Sequence, residues 1–261
     1  MPFCQLLIVS IPPLPLGLII VVFSGALSYL GLIATRKVIS HEKLMVHNDI
    51  AAPLFETVGV VYAVILAFVV VVTWENYDRS NMNVENEASC IASLYSDSNA
   101  FSQQDKLMVK KLIREYGKAI IKDEWKRMGV GSSSRIAAQK GRDVLDFYSN
   151  FVPTNKTQEI YLAESVRKLN VLMEYRDNRL LDAKEGVHPI LWFMLLAGGT
   201  ITVFISFLFG TKNFAAQKVM TTLLAVIIGL TLFTILELDY PFSGSISIKP
   251  DAFFRIVEFN R

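Results

Sequence analysis

The sequence predicts an all-α membrane protein: four transmembrane helices in two hairpins, with a helical extramembrane domain inserted between the second span and the third. Apolar residues make up 52% of the 261-residue chain and charged residues only 19%, a balance too apolar for an ordinary soluble domain. The apolar residues are also clustered. No Asp, Glu, Lys or Arg precedes Arg36, and the stretches 57–74, 189–210 and 219–236 contain none. Each approaches the roughly 20 residues with which a helix crosses about 30 Å of hydrocarbon. The intervening segment 75–187 shows neither period-two alternation nor strand-and-turn spacing, so it reads as helical throughout.

The first span covers about 15–35, its entry stiffened by Pro12, Pro13 and Pro15, with Pro15 at a helix start. It lacks the basic leader of a secretion signal and is read as a retained span. The second covers 57–74. Beyond Trp74, residues Val84, Ala88, Ile91, Leu94 and Tyr95 keep three-and-four spacing, so this helix continues out of the bilayer. A further helix starts at Ser102, where Ser102-Gln-Gln-Asp105 resembles a capping box. Its expected buried stripe is Val109, Leu112, Ile113, Tyr116 and Ile120, and Gly129 and Gly131 end it. The next helix carries Ile136, Val144, Leu145 and Tyr148 and stops before Pro153. The last helix of the insert runs over about 157–184, with Leu162, Val166, Leu169, Met173 and Leu180 on one face. Arg176 is the odd member of that stripe, and an ion pair at a helix interface is expected there. Gly186 and Pro189 hinge this helix onto the third span, 189–210, and the fourth covers 219–236. The expected division is a first hairpin at 1–74, the extramembrane domain at 75–187, and a second hairpin with its tail at 188–261. An even number of spans places both termini and the insert on one side, and the short loops 36–56 and 211–218 on the other.

Several function classes are excluded. A net charge of +2, with acids and bases interleaved, offers no footprint for nucleic acid. Cys4 and Cys90 lie in different segments without CxxC spacing, so neither a disulfide framework nor a zinc site is indicated. His41 and His47 fall about 120° apart on a helix, unlike a metal pair at i, i+4. His188 stands alone. No GxSxG, HExxH, GxGxxG or phosphate-binding glycine loop occurs, so no enzyme, catalytic residue, metal or cofactor is expected. Asn155-Lys-Thr157 fits a glycosylation acceptor, but its expected role is to cap the following helix.

The spans hold more information. In the second, Gly59, Ala63 and Ala67 recur every fourth residue, a small-residue face along which another helix can approach. The opposite face is Val61, Ile65, Phe68 and Val72, which could meet lipid, a neighbouring helix or a lumen; hydrophobic constrictions gate pores by dewetting. Gly198, Gly199, Thr202, Ala225 and Gly229 are read as packing positions in the third and fourth spans. Glu56, Glu75, Glu237 and Asp239 stand at span ends, where they anchor the boundary or, in an oligomer, form a charged ring.

A series of strings occurs in order: His47-Asn48, 57–68, Trp74-Glu-Asn-Tyr77, Glu87-Ala88 with Leu94-Tyr95, Glu124-Trp125, Arg179-Leu-Leu181, Pro189-Ile-Leu-Trp192 and Leu238-Asp-Tyr-Pro-Phe-Ser-Gly244. Their order resembles the prokaryotic bestrophin-like membrane family, a domain of unknown function, from about His47 to the C-terminus. The resemblance implies a homo-oligomer, pentameric in bestrophins, that conducts inorganic ions, mostly anions. It implies a hydrophobic neck formed by the second span, with helical cytosolic domains continuing the conduit. The chain departs from bestrophins in having only Phe68 as a neck aromatic and in lacking their acidic calcium clasp, so calcium gating is not expected.

Two readings remain open at this stage. One is an oligomeric channel of the cell (inner) membrane, lined at Val61, Ile65, Phe68 and Val72. The other is a membrane-anchored interaction or sensor protein that binds a partner through its insert. Sidedness is also open. Arg36, Lys37, Lys43, Lys212 and Lys218 concentrate in the short loops and favour a cytoplasmic position for them, whereas the resemblance implies a cytosolic insert.

Overall fold

The computed structural model describes residues 3–257, with side chains from 5 to 255. The Cys4 side chain lies outside the described residues. In chain order the helices are α1 (Phe3–Ser10), α2 (Pro13–Val38), α3 (His41–Met45), α4 (Asn48–Asp97), α5 (Gln103–Ala119), α6 (Trp125–Met128), α7 (Arg135–Asn150), α8 (Lys156–Asp182), α9 (Pro189–Phe207), α10 (Phe214–Leu238) and α11 (Asp251–Val257). A π turn, Ile120–Glu124, joins α5 to α6. Helices α2, α4, α9 and α10 are long and apolar enough to cross a membrane. The chain divides into two compact units, Ser10–Glu75 with Gly186–Asp239, and Met1–Val9 with Asn76–Glu185 and Tyr240–Arg261.

In the membrane unit the first span and the last are close partners, running antiparallel. Gly17 faces the ring of Phe233 and Gly25 faces Val226. The Ser28 hydroxyl donates to the Thr221 carbonyl at 3.0 Å. A Cβ at Gly229 would lie 2.7 Å from Ser24 Oγ, so the two helices approach closely across a glycine. The second span rests on α9 through Tyr62, whose hydroxyl donates to the Leu195 carbonyl at 3.1 Å. Its ring lies where a Cβ at Gly198 would come within 2.5 Å. Val69, Leu195 and Ile235 form the small apolar cluster beside it. At the loop end, Asn48 clamps Gly210 in both directions: its Nδ2 donates to the carbonyl and its Oδ1 accepts from the N–H, each at 2.9 Å.

The helical extramembrane unit has a continuous apolar core. Val84, Ala88, Ile91 and Leu94 of α4 meet Val109, Ile113, Tyr116 and Ile120, and Leu169 and Leu172 complete it. The expected caps form: the side chains of Ser102 and Asn155 accept from the N–H groups of Asp105 and Gln158. Two stripes differ from expectation. Ile136 and Leu145 are exposed, and α7 buries Ala137, Gly141, Val144 and Tyr148 instead. On α8 the most buried face is Ser165, Leu169, Leu172, Arg176 and Arg179, because the core at that end is closed by ion pairs rather than by aliphatic groups.

The boundaries also differ. The segment 240–257 packs into the extramembrane core rather than trailing from the fourth span, because Phe242 and Phe253 are buried against Trp125. Helix α1 joins the same unit. Gln5 Nε2 donates to Ser243 Oγ, whose hydroxyl donates to the Gly129 carbonyl. Gly244 adopts φ 73°, with Ile8 directly above it, a conformation and an approach that glycine allows.

Candidate functional site

Helix α4 is built to carry two environments. Its first half, a run rich in Val, Ile, Leu and Phe, has no charged residue between Glu56 and Glu75. At 100° per residue, Val61, Ile65, Phe68 and Val72 fall on one stripe, and Glu75, seven residues after Phe68, ends it. Glu56 lies well off this stripe.

Within the subunit that stripe is largely open: Val61, Phe68 and Val72 retain 56%, 67% and 48% of their exposure. Ile65 is half-buried against the Val69, Leu195 and Ile235 cluster. Of the most apolar stretch of α4 only 11% is buried in the chain, against 28% in each of the other three spans.

The small-residue face is open within the subunit. Ala63 and Ala67 are exposed, and a Cβ on Gly59 would meet nothing within 4 Å. The contact inside the chain is made by Tyr62, Val69 and Thr73, which are buried. The small residues of that contact belong to α9, at Gly198 and Gly199, and the large tyrosine belongs to α4.

The four acids at the span ends differ in exposure within the subunit. Glu56 and Glu75 are exposed, but Glu237 and Asp239 are each only 5% exposed. Asp239 accepts from the Val187 N–H and from the Trp192 indole Nε1, so it ties the start of α9 to the end of α10. Both Glu237 oxygens are buried without a hydrogen-bond partner.

A second group of charges sits in the extramembrane unit. Arg179, fully buried, donates through Nε to Glu87 at 2.5 Å and through Nη2 to Glu124 at 3.0 Å. Arg176 reaches Glu124 at 2.6 Å, and the Tyr116 hydroxyl donates to Glu87 at 3.3 Å. Burial alone would pull the Arg179 pKa down, but Glu87 and Glu124 hold it above the ordinary arginine value. Burial and the Glu87 charge push the Tyr116 phenol well above its usual range. The guanidinium of Arg179 also stacks over Trp125 and Phe253. Every charge is matched, so this cluster is structural. The ion pair expected at Arg176 is present. Arg179 is a more central member, and burial of two arginines on one helix face has no periodic signal in sequence. Among the described residues no group of His, Cys, Asp and Glu is disposed to hold a metal ion.

The Bestrophin-like domain family matches residues 22–253. No curated protein matches the chain in sequence. Solved structures share its fold. One variant of a bacterial bestrophin homologue from Klebsiella pneumoniae superposes with a TM-score of 0.65 at 13% identity, covering 91% of this chain and 97% of that one. A second variant gives 0.66 at 13% identity, with 91% and 96% covered. A structure described as a membrane protein gives 0.58 at 15% identity, with 91% and 95% covered. The all-α architecture with four spans is therefore that of bacterial bestrophin homologues, and the chain is a multi-pass membrane protein.

Proposed function

Because the chain belongs to the Bestrophin-like family, we propose that it is an oligomeric ion channel whose second span lines the conduction path at Val61, Ile65, Phe68 and Val72. The observation that carries this reading is the burial of α4 inside the chain, 11% against 28% for its three neighbours. In a multi-span protein the helix least covered by its own chain is the one that meets other subunits, a lumen or lipid. Its three faces divide these roles. Tyr62 and Val69 hold the subunit together, Gly59, Ala63 and Ala67 take the adjacent subunit, and the valine and phenylalanine stripe faces the lumen. A stripe of this kind, repeated by symmetry, is a hydrophobic constriction that admits ions only when wetted. Glu75 closes the stripe at the interface, where water solvates it.

The assembly proposed is a homo-pentamer in the cell (inner) membrane, with anions as the permeant class, as the family resemblance implies. The N-terminal segment, the insert and the C-terminal segment fold into one unit, which supports their lying on one side of the membrane.

The test is ion flux through purified protein in liposomes, wild type against Phe68→Ala, after both are shown to form the same oligomer. Wild-type flux that rises in the variant, through a wider constriction, is expected. Absence of flux from the assembled wild type, across several ions and both voltage signs, overturns the channel reading and leaves the insert as the functional part.

A further inference from the structure

The helical run from α5 through the π turn to α6 carries a basic residue at every fourth position: Lys106, Lys110, Arg114, Lys118, Lys122 and Lys126. Straight α-helical geometry turns such a series by about 40° per step, so the first four drift from the flank of the buried face to its opposite side. Their exposure follows that drift: Lys106, Lys110 and Arg114 are half-buried, and Lys118, Lys122 and Lys126 are exposed. The π turn at Ile120–Glu124 takes up an extra residue and rotates the later side chains back, holding the last three in line. The row spans about 30 Å at steps of about 6 Å.

The row has no ion-pair partner among the described residues. The four acids of the same run are engaged elsewhere: Asp105 at the Ser102 cap, Glu115 with Lys140, Asp123 with Arg127 and Ser134, and Glu124 with Arg176 and Arg179. Lys110 lies over the Tyr95 ring at 4.3 Å, which leaves its charge in place.

We propose that this row is an anion-collecting surface that sets the preference of the channel for small inorganic anions over cations; this rests on the channel reading above. The chemistry of the row favours a passing ion over a fixed ligand. Five of the six are lysines, strongly hydrated point charges without the planar fork that grips a phosphate or carboxylate in two bonds. Charges spaced along the helix without ion-pair partners give several weak sites in series, and conduction requires sites that an ion can leave as readily as it enters. A row of this length raises the local anion concentration and depletes cations within a Debye length, about 10 Å at 0.1 M salt.

The experiment measures reversal potentials of the full-length protein in planar bilayers under a KCl gradient. Wild type is compared with Lys118→Glu/Lys122→Glu/Lys126→Glu, with the same triple changed to Gln, and with a charge-matched control, Lys156→Glu/Arg167→Glu/Lys184→Glu. The control residues are exposed and lie on or just after α8. The Glu triple is expected to lower the chloride-to-potassium permeability ratio by about threefold or more at 0.1 M, and by less at 1 M, where screening shortens to about 3 Å. The Gln triple shifts it less in the same direction, and the control leaves it unchanged. A row triple that conducts with the wild-type ratio overturns the inference, as does an equal shift in the control. A wild type that assembles and passes no current is a different result, which removes the channel reading and this one with it.

Discussion

The two halves of α4 have the same backbone conformation and opposite surroundings. In the extramembrane half, Ser80, Val84, Glu87, Ala88, Ile91 and Leu94 are all buried, and even the carboxylate of Glu87 is enclosed by Arg179 and Tyr116. In the membrane half only Tyr62, Val69 and Thr73 are buried, Ile65, Leu66 and Val70 are half-buried beside them, and most of the other residues are exposed. The extramembrane half is finished within its own chain. The membrane half keeps an open surface, as the lumen-lining role proposed for it requires.

The contrast can be broken most severely at Glu87. Glu87→Ala leaves Arg179 buried with one carboxylate fewer, and the loss expected for breaking a buried ion pair is about 3–5 kcal/mol. Thermal unfolding of the detergent-solubilised subunit measures it, and a loss below about 1 kcal/mol would show that the cluster does not hold this half in place. Next is the contact that the membrane half does make. Gly198→Leu drives a side chain into the Tyr62 ring, and overpacking of this kind costs about 1–3 kcal/mol in the same assay. Tyr62→Phe removes only the bond to the Leu195 carbonyl and should cost about 1 kcal/mol.

The smallest stability effects are expected on the open faces. Phe68→Ala and Ala63→Leu should each change subunit unfolding by less than about 0.5 kcal/mol, as exposed positions do. Their effects appear elsewhere. Phe68→Ala alters flux, and Ala63→Leu weakens the oligomer on size-exclusion chromatography. Unfolding losses of several kcal/mol from Phe68→Ala in the isolated subunit would mean that the phenylalanine is buried by its own chain, and would contradict the comparison.

The same contrast explains which parts could be read in advance. Uncharged stretches about as long as the bilayer is thick identify spans, because charges are excluded from hydrocarbon. The caps at Ser102 and Asn155 are local, since a side-chain oxygen meets an N–H three residues on. The long continuation of the second span was visible for a related reason: Val84, Ala88, Ile91 and Leu94 keep helical spacing beyond Trp74. The row of cations from Lys106 to Lys126 was equally open to view, as a period of four, although apolar periodicity alone does not find it.

What the sequence by itself determined, then, is what depends on neighbours along the chain: the four spans, the helical insert, its caps, and the order of family strings. Only the tertiary structure decided how faces are used. It placed Gly198 and Gly199 of α9 against the Tyr62 ring. It buried Asp239 against Trp192 and Val187, and drew 240–257 into the extramembrane core. Helical periodicity specifies which residues share a face, but a face is packed or open according to the segment that arrives opposite it. That segment can lie far away in the sequence: Glu87 meets Arg179, and Ser28 meets Thr221. Spacing along one helix contains no information about such a partner.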